Sequence, residues 1–270
     1  MIVFPNAKIN LGLHIVEKRP DGFHNIETIF YPVKGLTDVV EATPDDRFSF
    51  ARTGIEIDGR PEDDLCVRAY KLMAARYGIP PVNMSVHKLI PPGAGLGGGS
   101  SDAAFVIQML NDMFSLKTEK ENLKKLAAES GSDCAFFIEN RPCFAAGRGE
   151  LLAPISVDLS GYRLLIVKPD IYVSTGEAYS KAKPEKPDND LRNLMKLPVG
   201  EWRNLLINDF EKSVFAIRPE IGEIKRKMYD SGAEYASMSG SGASVFGLFK
   251  GDIPDTKIFS ENYFVYSGYV

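Results

Sequence analysis

Residues 91–102 read Pro-Pro-Gly-Ala-Gly-Leu-Gly-Gly-Gly-Ser-Ser-Asp, with five glycines in the seven positions 93–99. No other stretch limits the possible folds as much. Glycine lacks a Cβ, so such a loop reaches positive φ and lets backbone N–H groups approach a ligand closely, at an entropic cost that something must offset. Directly after it, Ala103, Val106, Ile107, Leu110 and Phe114 recur at i, i+3, i+4, i+7 and i+11, which predicts a helix with one face packed inward. Ser100 or Ser101 is the expected N-cap. A helix N-terminus behind a glycine loop is an anion site, and a di- or triphosphate suits it. The same pattern also fits a loop that only caps a core helix. It is not a Walker loop, since no Lys follows the last glycine, and it lacks the Rossmann spacing to an acidic residue about twenty positions on. Asp102 would repel a phosphate unless it turns away or lies beside a metal ion.

At 270 residues, 44% apolar and 25% charged, the chain can bury a substantial core in one or two domains. A net charge of −4 argues against a nucleic-acid partner. Cys66, Cys134 and Cys143 form no CxxC and no even framework, which suits a reducing compartment. The histidines are dispersed, and no metal-ligand cluster stands out. No basic-then-apolar leader opens the chain, and no apolar run approaches the ~18 residues of a membrane span. A soluble cytoplasmic protein without a membrane partner is the expectation.

In chain order, residues 7–15 alternate strictly and predict a half-buried strand. Ala7, Ile9, Leu11, Leu13 and Ile15 point one way; Lys8, Asn10, Gly12 and His14 share the other face. That second face is either an ordinary solvated one or the lining of a site. Arg19-Pro20-Asp21-Gly22 carries Pro and Gly at turn positions, so the strand folds back into a second one near residues 27–33. Phe23 and His24 stand at the mouth of this hairpin, where they can cover a core edge or stack on a base. Further strands are expected over 38–42, 47–51 and 55–57. Asp63 or Asp64 caps a helix that ends at Gly78. Residues 82–90 alternate as the strand before the glycine loop, with Lys88 close enough to meet a nucleotide. Thr118 with Glu121 predicts a capping box, and the helix behind it stops at Gly131. Asp133 follows, readable as a helix cap, as a carboxylate aimed into a cleft, or as both.

The pattern restarts near Tyr162, with a strand over 163–167 and a helix opened by Ser174-Thr175-Gly176-Glu177 and carrying Tyr179. Residues 183–190 are charged and proline-rich, hence an exposed loop. Helices are expected from Asn208 and over 219–231, and a strand over 245–249. Met238-Ser239-Gly240-Ser241-Gly242-Ala243-Ser244 is a second small-residue loop, either a tight connection or a partner for the first around a phosphate tail.

Three separated segments resemble the three motifs of the GHMP small-molecule kinases: Pro5-Asn6-Ala7-Lys8-Ile9-Asn10-Leu11, the glycine loop, and Ser239-Gly240-Ser241-Gly242-Ala243. The resemblance runs through nearly the whole chain in the family's order. Arg19-x-Asp21-Gly22-Phe23-His24, Gly131-Ser132-Asp133, Gly147-Arg148-Gly149-Glu150 and Asn208-Asp209-x-Glu211 match the branch that acts on a cytidine-diphosphate-linked methylerythritol in non-mevalonate isoprenoid synthesis. The resemblance implies an α/β (α+β two-domain) GHMP kinase fold, with an N-terminal part like ribosomal protein S5 domain 2 and a ferredoxin-like C-terminal part. The parts would span 1–155 and 156–270, with the site between them. It implies ATP- and Mg²⁺-dependent phosphorylation of the 2-hydroxyl of that small-molecule acceptor. Asp133 would be the general base and Lys8 its neighbour, steadying the transferred phosphoryl. Pro92, Gly93, Ala94, Gly95, Leu96, Gly97, Gly98, Gly99, Ser100, Ser101 and Lys88 would bind ATP. Asn10, Phe23, His24, Thr175 and Tyr179 would hold the acceptor, and Ser239, Gly240, Ser241 and Gly242 would support the glycine loop. No acidic metal ligand can be assigned; Ser100 or Ser101 are the candidates. The chain departs from the family at Phe23, where a tyrosine is usual, at Asp64, where Asn is frequent, and at Cys134-Ala135 in place of Val-Pro. Kinases of mevalonate, homoserine or sugars, and a non-catalytic nucleotide-binding module, are the alternatives.

Overall fold

The computed structural model describes residues 1–270. The first half runs β1 (Ile2–Val3), β2 (Asn6–Lys18), β3 (His24–Thr37), β4 (Val39–Pro44), β5 (Ser49–Gly54), α1 (Leu65–Tyr77), β6 (Val82–Lys88), α2 (Gly98–Met113), α3 (Lys120–Ser130), α4 (Cys134–Glu139), β7 (Cys143–Ala146) and β8 (Leu151–Pro154). The second half runs β9 (Arg163–Lys168), α5 (Thr175–Ser180), α6 (Leu191–Leu194), α7 (Phe210–Ile217), α8 (Pro219–Asp230), β10 (Tyr235–Met238), β11 (Val245–Phe249) and β12 (Phe264–Tyr269).

These elements form two compact units that interleave along the chain. One comprises residues 1–7, 36–92 and 97–141; the other comprises 8–35, 93–96 and 142–270. A division at 155 is a division of the chain, whereas the chain passes between the compact units five times.

The first unit carries a sheet ordered β1-β4-β6-β5, antiparallel except for the parallel β5–β6 pair. Helices α1 to α4 belong to the same unit. Asp64 caps α1 by accepting the Cys66 N–H at 2.9 Å, and Gly78 ends it in the left-handed region. Residues 55–57, expected as a strand, form none. The capping box is also absent. Helix α3 has Glu119 at its N-cap without a side-chain hydrogen bond, and Thr118 instead donates its hydroxyl to the Tyr77 hydroxyl at 3.1 Å. The tertiary partner wins over the local one.

The second unit holds two sheets, β2-β3-β7-β8 and β10-β11-β9-β12. In the latter all pairings are antiparallel. Its connectivity, strand, helices, two strands, a short 3-10 turn at Thr256–Ile258, and a last strand, gives the split βαβ order of a ferredoxin-like fold, with the second helix reduced to one turn. Its core gathers Leu165, Val167, Val214, Ile221, Ile224, Met228 and Val245.

Strand β2 departs from its expected half-exposure. Lys8, Asn10 and His14 are as buried as the apolar residues between them. The space left at Gly12 is filled by leucines: a Cβ there would stand 2.6 Å from Leu206 Cδ1 and 2.9 Å from Leu191 Cδ2. Alternation identifies which residues share a face, but a second layer laid over the polar face is invisible to it.

Candidate active site

In the second unit the polar face of β2 is a chain of satisfied hydrogen bonds. The Lys8 ammonium donates to Asn10 Oδ1 at 2.6 Å and lies 4.9 Å from the centre of the Phe30 ring. Asn10 donates through Nδ2 to Thr28 Oγ1 at 3.0 Å, and Thr28 in turn donates to the Gly12 carbonyl. A buried ammonium is tolerated because such acceptors and an aromatic face compensate its lost hydration.

Residues 94–96 of the glycine loop lie against the same strand. The Lys8 N–H donates to the Leu96 carbonyl at 2.9 Å, and the Ser244 N–H to that of Ala94 at 3.2 Å. Ser239 donates its hydroxyl to the Gly95 carbonyl at 2.8 Å, and its Oγ accepts the Asn10 N–H at 3.3 Å. Gly95 sits at φ 74° with Gly240 packed on it, and a Cβ would overlap the Ser239 carbonyl. The two small-residue loops therefore need glycine where they meet. Gly93 lies over the Tyr172 ring, 3.0 Å from where its Cβ would stand. Ser241 places its hydroxyl 3.4 Å from that of Thr175, at the start of α5.

The 238–244 loop is held from behind by Asn208, which donates to the carbonyls of Met238 at 2.7 Å and Gly240 at 2.9 Å. Glu211 accepts the Met238 N–H at 2.8 Å. Neither role can be read from the sequence, although the Asn-Asp-x-Glu run ahead of an amphipathic helix is its visible trace.

His24 and Tyr179 stack on each other, with ring centres 4.6 Å apart and planes within 16°. Burial, and then the Lys18 charge, hold the His24 imidazole below its ordinary pKa. Phe23 is exposed and pairs instead with the Arg148 guanidinium, 4.9 Å from its ring centre.

In the first unit, α2 begins at Gly98, with Gly97 as its N-cap in the left-handed region at φ 72° and no side-chain cap. Ser100 and Ser101 thus lie inside the first turn, a correction to their expected capping role. Glycine makes the earlier start possible because it enters the left-handed region without strain. Without a side-chain cap, the first-turn N–H groups and the positive end of the dipole stay available to an anion. Ser101 is fully buried and its Oγ has no partner; Ser100 is half-buried.

Asp133 occupies the N-cap position of α4 but makes no side-chain cap bond there. Its segment adjoins the first turn of α2: a Cβ on Gly131 would be 3.2 Å from Cys134 Sγ and 3.9 Å from Ser100 Oγ. Cys134 is buried, and burial above all pushes its thiol up to about 12, so it fills space as an inert hydrophobe. Asp64 has its carboxylate engaged twice, by the α1 cap and by Arg52 at 3.0 Å.

Lys88 does not extend toward a ligand. It is buried, and its ammonium is held between the carboxylates of Asp38 and Asp102. Burial disfavours the Lys88 charge, yet the two carboxylates outweigh it and raise its pKa. The same contact answers what Asp102 does: it turns inward and away from the loop's open side.

No three His, Cys, Asp or Glu residues are grouped to hold a metal ion, and no helix is long and apolar enough to cross a membrane.

The second unit's ferredoxin-like sheet and its clasp of Gly95, and the first unit's helix opening on glycine without a side-chain cap, belong to a chain that sequence profiles place among the small-molecule kinases. The sequence profile described as GHMP kinases N terminal domain matches residues 64–141, and that described as GHMP kinases C terminal matches 184–263. A 4-diphosphocytidyl-2-C-methyl-D-erythritol kinase of Bacteroides fragilis is 52% identical over 96% of this chain and 94% of its own length. The protein of that description from Bacteroides thetaiotaomicron is 52% identical over 99% of both chains. A crystal structure of a 4-(cytidine 5'-diphospho)-2C-methyl-D-erythritol kinase superposes with a TM-score of 0.79 at 30% identity, covering 92% of this chain and 90% of that one. The chain belongs to the GHMP kinases, in the family of 4-diphosphocytidyl-2-C-methyl-D-erythritol kinases.

Proposed function

We propose that this chain transfers the γ-phosphoryl group of ATP to the 2-hydroxyl of 4-diphosphocytidyl-2-C-methyl-D-erythritol, in the non-mevalonate route to isoprenoids. Phosphoryl transfer needs alignment and charge stabilisation more than covalent help from the protein. The observation that carries the reading is the clasp of Gly95 by Ser239 beside the Lys8–Asn10 pair. It supports a phosphate cradle with a cation fixed at its edge.

In this reading the N–H groups of residues 93–101 and the start of α2 hold the ATP phosphates. Asp133 accepts the proton of the 2-hydroxyl as that oxygen bonds to the γ-phosphorus and the bond to the β–γ bridging oxygen breaks, releasing ADP. Lys8 stabilises the charge spread over the transferred group. Asn10 and Thr175 hold the acceptor, with Phe23, His24 and Tyr179 at its cytidine. Lys88 serves the ATP site indirectly, through its pairs with Asp38 and Asp102. Residues 1–155 form the nucleotide-binding part and 156–270 the C-terminal part, working in the cytoplasm.

An Mg²⁺ ion would arrive on the triphosphate and take most of its ligands from phosphate and water. Ser100, in the uncapped first turn and half-exposed, would be its protein ligand, whereas Ser101 is sealed from solvent. The metal would neutralise phosphate charge.

The test is an assay with ATP, Mg²⁺ and the cytidine-linked acceptor, monitored for ADP, beside mevalonate, homoserine and a sugar panel. Turnover confined to the cytidine-linked acceptor is expected. Faster turnover of any sibling substrate would overturn the acceptor assignment.

A further inference from the structure

Asp38 stands immediately before β4, with its carboxylate wholly inside the first unit. Its backbone N–H donates to the Pro5 carbonyl at 2.9 Å, which fixes it from the main-chain side. Oδ1 accepts the N–H groups of Leu89 at 2.6 Å and Ile90 at 2.8 Å, the residues by which the chain leaves β6 for the glycine loop. Oδ2 accepts from the Lys88 ammonium, and that ammonium also holds Asp102 Oδ2 in α2. The exit of the loop meets the same group. A Cβ on Gly98 would stand 2.9 Å from Ile90 Cγ2 and 3.5 Å from Asp38 Oδ2.

The entry of a seven-residue, glycine-rich span, 91–97, is thus bonded to one buried carboxylate, and its exit reaches that carboxylate through Lys88 and Asp102 in the first turns of α2. Closing the ends of a flexible loop in the folded state removes part of the entropy that a ligand would otherwise have to remove on binding. We propose that Asp38 is a positioning residue for the nucleotide. It touches no substrate, and it acts by setting the separation between Ile90 and Gly98, hence the curvature with which the loop presents its N–H groups to the ATP phosphates. Lys88 and Asp102 extend the clamp into α2. The proposal rests on the reading of this loop as the ATP site.

Asp38→Asn tests it, since the amide keeps the shape and an acceptor for Leu89 and Ile90 but gives up the charge facing Lys88. The expected result is a rise in KM for ATP of ~10-fold, comparable to losing one charge-assisted hydrogen bond, with KM for the acceptor within about twofold. At one fixed ATP concentration the melting temperature of the variant should also rise less than that of wild type, while the acceptor raises both equally. Equal changes in both KM values, as a general loosening would give, overturn the clamp, and so does an unchanged KM for ATP. Where Asp38→Asn fails to fold, Asp102→Asn loosens only the exit end, and KM for ATP unchanged in that variant overturns the proposal equally. If wild type itself transfers no phosphoryl group from ATP, the reading of the site falls; if wild type is active and the variant keeps its ATP KM, the clamp alone falls.

Discussion

Ser239 donates its hydroxyl proton to the carbonyl oxygen of Gly95 across 2.8 Å, joining two loops that lie 144 positions apart in the chain. The approach is close enough that a methyl group on Gly95 would overlap the Ser239 carbonyl, at a φ of 74°. Gly95→Ala should therefore destabilise the protein by about 2–4 kcal/mol, summing overpacking and left-handed strain. Urea unfolding reads this directly, and an unchanged midpoint would mean that the loops do not pack as described.

Asp133 spends no side-chain oxygen on capping α4. Asp133→Asn should leave ATP binding intact, measured by the thermal shift that ATP induces, and lower turnover by at least ~10²-fold, the scale of general-base contributions. Near-normal turnover excludes the proton-accepting role.

Lys8 is fixed by Asn10 at 2.6 Å and has little freedom to be anything but a stationary charge. Removing it as Lys8→Gln should lower kcat by roughly 10²–10³-fold, as for other preorganised donors. A change confined to the KM for ATP, with kcat preserved, would reassign Lys8 to ground-state binding.

The His24–Tyr179 stack, 4.6 Å between ring centres, is an aromatic wall of the second unit. His24→Ala should raise the acceptor's KM by ~3–10-fold, the equivalent of one aromatic pair, and leave that for ATP unchanged. Because burial and Lys18 hold the imidazole below its ordinary 6.5, the ring is mostly neutral at neutral pH, and any inflection in acceptor binding on acidification should come below that value. An inflection at or above 6.5 that disappears in His24→Ala would contradict this.

Burial, assisted by the Asp38 charge and opposed by Lys88, holds the Asp102 carboxyl above its ordinary 3.8. The folded protein then binds the proton more tightly than the unfolded chain does. The stabilisation is complete below 3.8 and is lost as pH rises from there through the higher pKa of the folded state. Relative to Asp102→Asn, whose amide does not titrate, wild type should lose stability as pH is raised across that window. Parallel urea midpoints for the two proteins would sink the assignment.

Much of the local structure is legible in the residues alone. The spacing of Ala103, Val106, Ile107 and Leu110 finds α2, Asp64 and Gly78 bracket α1, and the alternation over 7–15 finds β2. Errors arise where a local rule meets a distant partner. Ser100 and Ser101 are good caps by composition, yet Gly97 takes the N-cap and the helix begins at Gly98, and Thr118 leaves its capping box for Tyr77. The pairing of Lys88 with Asp38, 50 positions away, likewise leaves no mark in the local pattern.

The chain's own order determines the glycine loop, the helix behind it and the alternation that puts Lys8 and Asn10 on one face, because spacings of two and 3.6 residues are fixed by backbone geometry within a single element. The tertiary structure alone decides that this face is buried, that Ser239 clasps Gly95, that His24 finds Tyr179, and that Asp38 holds the neck of the loop. Each of these joins groups whose separation along the chain carries no periodic signal, and only the packing of one layer on another selects them.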